Sequence, residues 1–103
     1  MRTLHYAGTE LVTSDGIAEA LLDYIVTLPL NHPPHRVTLP AMRDDHEVVA
    51  HLVVTAETAL LVTTSDAPHV ALDGEQYAID VLRHHTHRLD SIGVETRGLN
   101  PFA

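Results

Sequence analysis

The apolar positions of this chain fall into two helical runs and four or five strand-like ones. Positions Ile17, Ala20, Leu21, Tyr24, Ile25 and Leu28 recur at helical spacing without a gap. Ser14-Asp15-Gly16 supplies the start, because a Ser or Asp side chain there accepts from the first free backbone N–H groups. Pro29 stops the run, since proline has no N–H to donate and disfavours helical geometry in the residue before it. Upstream, residues 4–13 are rich in β-formers interrupted by Gly8, which predicts one kinked strand or a small hairpin.

Three strands are predicted after the stiff Pro29-Leu30-Asn31-His32-Pro33-Pro34-His35 connection. Residues 36–42 alternate Val37, Leu39 and Ala41 with polar positions, and Pro40 points to an edge strand or a strand end. Arg43-Asp44-Asp45-His46 is a polar turn. Residues 47–54 and 59–64 flank Thr55-Ala56-Glu57-Thr58, which has the length of a hairpin connection. The strand at 47–54 carries Val48, Ala50, Leu52 and Val54 on one face and Val49, His51 and Val53 on the other, with Leu61 able to join that second face. Two apolar faces predict a central strand covered on both sides, by helix or by a second subunit.

The second helix is predicted from Asp73 onward. Asp73 with Gln76 has capping-box spacing and Leu72 with Tyr77 that of a hydrophobic staple. Its stripe is Tyr77, Ala78, Val81, Leu82, Leu89 and Ile92, with His85 on the same face, and Gly93 is the expected C-cap. Residues 94–103 then form a tail that docks or frays. The order strand, helix, three strands, helix defines a two-layer α+β domain with a small mixed or antiparallel sheet and two helices. At 103 residues it is one domain.

The first helix is more apolar than a surface helix requires. At ~100° per residue, Ala18, Leu22 and Val26 widen its apolar arc to about 240°, leaving only Glu19, Asp23 and Thr27 as a polar stripe. Such a helix is sandwiched inside the domain or shared with a second subunit. Ala18, Leu22 and Val26, with Val49, His51 and Val53 of the two-faced strand, are therefore the expected interface of a homodimer.

Composition narrows the function classes. Fourteen acids against six bases give a formal charge of −8, which argues against nucleic acid or an anionic membrane surface as the main partner. No cysteine is present, so disulfides, thiolate metal sites and cysteine nucleophiles are excluded. The N-terminal residues lack a secretory signal, and the longest apolar runs fall far short of the ~18 residues that span a bilayer; a cytoplasmic protein is expected. Nine histidines are several times the usual share, and titrating all of them would carry the formal charge from −8 to +1 below about pH 6.

The candidate chemistry lies among those histidines. Asp80, His84 and His87 share one face of the second helix at i, i+4, i+7, an arrangement able to hold a divalent, zinc-like ion. The competing reading is a solvated face in which Asp80 pairs with Arg83 or His84. Neither an HExxH pattern nor a second ligand pair accompanies it, so no cofactor is expected unless that divalent ion binds. His32 and His35, separated by two prolines, are expected to point apart. His51 and His85 are the candidate bases of a small histidine-dependent enzyme, the alternative to a non-enzymatic homo-oligomeric or binding module. A third reading is an acidic inhibitor or immunity-type partner of a basic protein. There is no G-x-S-x-G elbow and no phosphate-binding glycine loop.

Tyr6-Ala7-Gly8 followed by residues 12–24, Val-Thr-Ser-Asp-Gly-Ile-Ala-Glu-Ala-Leu-Leu-Asp-Tyr, resembles small uncharacterised actinobacterial proteins, chiefly over the first quarter of the chain. The absence of lysine suits that origin. The resemblance implies no activity and transfers no functional residue.

Overall fold

A computed structural model describes residues 1–99, with side chains through residue 89. The described residues form an α+β domain of five strands and two helices: β1 (Arg2–Tyr6), β2 (Thr9–Thr13), α1 (Asp15–Thr27), β3 (His35–Arg43), β4 (His46–Val54), β5 (Leu60–Thr64) and α2 (Glu75–Leu99). The segment at residues 4–13 is a hairpin. Its turn residues Ala7 (φ 49°) and Gly8 (φ 78°) both take positive φ, as the tight turn that matches strand twist requires. Asp44 (φ 52°) and Asp45 (φ 64°) do the same between β3 and β4, where Asp tolerates the left-handed region.

All pairings are antiparallel, in the order β4-β3-β2-β1-β5. Two expectations are corrected here. Residues 55–59 do not close a hairpin: β5 pairs with β1, Leu60 opposite Tyr6 and Val62 opposite Leu4. The strand expected at the centre, β4, is an edge strand, and its second apolar face is open, with Val49 66% and Val53 55% exposed. Although β4 and β5 occupy opposite edges, the sheet curls enough for the Tyr6 hydroxyl of β1 to donate to the Val53 carbonyl at 2.6 Å.

Pro40 sits where the β2–β3 ladder ends. Only Val12 and Met42 are bridged between those strands, and the Pro40 carbonyl is met instead by the buried Thr13 hydroxyl at 2.9 Å. A side chain thus continues what the backbone ladder leaves off, and that carbonyl keeps a donor in the core.

Helix α1 begins as its sequence dictates, with the Ser14 hydroxyl accepting from the Ile17 N–H at 3.1 Å. Ile17, Ala18, Ala20, Leu21 and Tyr24 are buried against the sheet and α2. The two helices run side by side in the same sense: Gly16 faces Ile79, where an added Cβ would lie 2.9 Å from its Cδ1, and Asp23 pairs with Arg83. The wide apolar arc is only partly covered. Ala18 is buried within the chain, Leu22 is half-buried, and Val26 is 83% exposed. Neither α2 nor the sheet reaches the Val26 side of the helix.

Helix α2 departs from its predicted ends. Gly74 takes φ +78°, and its carbonyl accepts from the Ala78 N–H at 3.0 Å, so the helix starts one residue beyond the position a capping box on Asp73 needs. The Asp73 N–H donates to Glu47 Oε1, and the Gln76 amide donates to Asp80 Oδ1 rather than reaching back. Tyr77, expected in the staple and the stripe, is 74% exposed. Gly93 does not end the helix, which continues to Leu99; the rest of the expected tail, residues 100–103, lies outside the described residues.

Candidate functional site

Three elements bring aromatic and basic side chains to one corner. Tyr24 lies in the last turn of α1, its body in the core and its hydroxyl 2.6 Å from Nδ1 of His35, the first residue of β3. Burial raises the Tyr24 pKa, so the phenol keeps its proton and is assigned as the donor; the imidazole hydrogen of His35 then resides on Nε2. His85, halfway along the described part of α2, packs edge-on to His35 with ring centroids 5.0 Å apart, and its ring lies 6.0 Å from that of Tyr24.

These rings line a cleft of ≈ 210 Å³ together with His32, Arg88 and Leu89. His32 and His35, expected to diverge, meet here. A turn closed by the His32 N–H on the Pro29 carbonyl at 3.0 Å folds the proline-rich connection back on itself. The His32 Nδ1–H donates to the Pro33 carbonyl at 2.7 Å, which leaves Nε2 for the cleft. Burial lowers the pKa of His85, and the electrostatic effect of His35, His84 and Arg88 beside it lowers it further. No carboxylate lines the cleft among the described residues, and none there forms an ion pair with Arg88.

A second cavity opens from the same corner. Between β3 and α2 runs a groove of ≈ 370 Å³, walled by Val37 and Leu39 on the sheet side and by Ala78, Val81 and Leu82 on the helix side. His35 and His85 belong to both cavities and mark one end of the groove; Asp73 and Gly74 mark the other. Val81 is half-buried along the groove and Tyr77 is exposed at its rim.

Asp80, His84 and His87 lie on the exposed side of α2, and Asp80 accepts from Gln76. Among the described residues no three His, Asp or Glu side chains are grouped so as to hold a metal ion. His51 is exposed on β4, its Nδ1 hydrogen-bonded to the Thr38 hydroxyl opposite at 2.9 Å, and it lines neither the groove nor the cleft. Val49, His51 and Val53 share the open face of the edge strand. Tyr24 is the site residue that the sequence reading missed. Tyr24 follows the core stripe in sequence, and only its hydroxyl leaves that pattern.

Chemically, the corner offers ring N–H donors, a phenol already committed to His35, and one guanidinium. Among the described residues no Ser or Thr hydroxyl and no carboxylate lines this corner. The fold is a small antiparallel α+β sheet domain with an apolar groove ending in a basic cleft. No family model, curated protein or solved structure matches the chain. No helix among the described residues is long and apolar enough to cross a membrane.

Proposed function

We propose that the protein is a non-enzymatic binding module whose ligand lies in the groove between β3 and α2. The observation that carries this reading is the continuity of that apolar groove with the cleft of His32, His35, His85 and Arg88. A groove of this size is at the small end of the ~300–1,000 Å³ typical of small-molecule sites, and its few polar groups converge at one end, as such sites require. The test is the fluorescence of Nile red, an uncharged apolar probe. Wild type should enhance it saturably, and Val81→Trp, which fills the groove from the helix side, should abolish the enhancement. Equal enhancement by both proteins would contradict the reading.

Self-association is a second reading, favoured by β4. A nine-residue edge strand leaves backbone groups unpaired and sets Val49 and Val53 in solvent, a surface that pairing with a second copy would cover. Val26 and the exposed part of Leu22 are the helix surface left for the same purpose. Sedimentation equilibrium distinguishes the outcomes: a dimer that Val53→Lys converts to monomer supports this reading, and a monomer at high micromolar concentration refutes it.

A further inference from the structure

We propose that the cleft formed by His32, His35, His85 and Arg88 is the head-group site for a small aliphatic carboxylate whose chain lies in the groove between β3 and α2. The proposal rests on the binding-module reading and adds the chemical class of the ligand.

Charge placement is the first argument. The chain carries −8 overall, yet the described groups around this cleft are all bases or neutral: three imidazoles line it, His84 stands beside His85 at 6.0 Å between rings, and Arg88 has no ion-pair partner among the described residues. Arg2 and Arg83 are matched by Asp15, Glu19 and Asp23, while Arg43 and Arg36, which lines the groove beside His35, share with Arg88 the lack of an ion pair among the described residues. A guanidinium with no carboxylate partner among the described residues, in a cleft lined by three imidazoles, is complementary to an anion.

Shape is the second argument. A carboxylate presents two acceptor oxygens in a plane, which the forked N–H groups of an arginine can meet together. His35 contributes a ring N–H, because its Nδ1 is occupied by Tyr24 and its hydrogen resides on Nε2. The aliphatic chain then enters the groove past His35 and His85, the two residues common to both cavities, and runs between Leu39 and Val81. The opposite orientation would place the carboxylate against Asp73 at the far end, where like charge repels it.

Octanoate, 1-octanol and octyltrimethylammonium serve as probes in isothermal titration calorimetry with the full chain. Octanoate should bind at least about tenfold more tightly than octanol, the difference a charge-assisted pair supplies, and octyltrimethylammonium more weakly than either. Arg88→Gln, at an exposed position whose loss leaves the core intact, should bring octanoate down to the affinity of octanol and leave octanol unchanged. Lower pH should strengthen octanoate binding and not octanol binding, as His85 gains charge among Tyr24, His32, His35, His84 and Arg88. Octanol and octanoate binding alike, or Arg88→Gln leaving octanoate binding unaltered, would overturn the head-group assignment while the groove reading stands. If no octyl compound binds but Nile red does, the carboxylate proposal alone fails. If Nile red also fails to bind, the binding-module reading falls with it.

Discussion

The phenolic oxygen of Tyr24, at the end of α1, lies 2.6 Å from Nδ1 of His35, at the start of β3. This bond ties together the two ends of the proline-rich connection and holds the His35 ring against His85. It also gives the otherwise buried tyrosine a partner for its one polar atom.

Removing that hydroxyl should therefore cost stability and order at the cleft. Tyr24→Phe is expected to lower the unfolding free energy by about 1 kcal/mol, the usual net worth of such a bond. Urea denaturation measures it. In a double-mutant cycle with His35→Ala the two losses should be non-additive, since both remove one interaction. Additive losses would show that the two side chains do not act as a pair.

A second expectation concerns acid stability. Burial, and after it His35, His84 and Arg88, lowers the His85 pKa below the ~6.5 of the unfolded chain. Between the two values the unfolded chain holds more protons, so stability is complete above about pH 6.5 and falls as pH drops towards the folded value. The groups facing His85 are Tyr24, His32, His35, His84 and Arg88, and none supplies a counter-charge. His85→Phe should flatten the decline in melting temperature between about pH 7 and 5.5. Parallel curves for the two proteins would show that His85 does not contribute to it.

Thr13 should be among the most sensitive positions of the core. Its buried hydroxyl serves the Pro40 carbonyl, which no β2 backbone N–H meets. Thr13→Val preserves shape and leaves that carbonyl without its donor, at an expected cost of about 1–3 kcal/mol in chemical denaturation. A neutral effect would mean the carbonyl finds another donor.

Ala7 offers a stabilising change. It occupies the left-handed region (φ 49°) in the β1–β2 turn, where Asn is tolerated better than Ala. Ala7→Asn, which makes the turn Asn-Gly, should add about 0.5–1 kcal/mol, read as a higher melting temperature. A lower one would argue against a two-residue turn of this type.

Much of the fold is legible in the sequence where the signals are local. The Ser14 cap, the Pro29 stop and the turn at Asp44-Asp45 each act within a few residues, and the elements they bound form where expected. The partner of β5 is not local. Residues 55–58 have hairpin length, but Leu60 finds Tyr6, a pairing with no trace in the spacing. The two apolar faces of β4 predict a centre, and the structure puts it at an edge because β5 goes to the far side of the sheet. At the site, His85 stood out as a histidine on an apolar stripe, and His32 and His35 as a pair. Their convergence depends on the chain folding back at Pro29 and on a tyrosine hydroxyl, neither of which periodicity encodes.

The central claim is that the groove between β3 and α2 is the ligand site and that it ends on the histidine cleft. Backbone-amide and imidazole NMR shifts during an octanoate titration test it most directly. The account predicts saturable changes concentrated at Val37, Leu39, Val81, His35, His85 and Arg88, with His51 and Val53 on the open face of β4 unmoved. Changes centred on His51 and Val53 instead, or none at saturating octanoate, would contradict it.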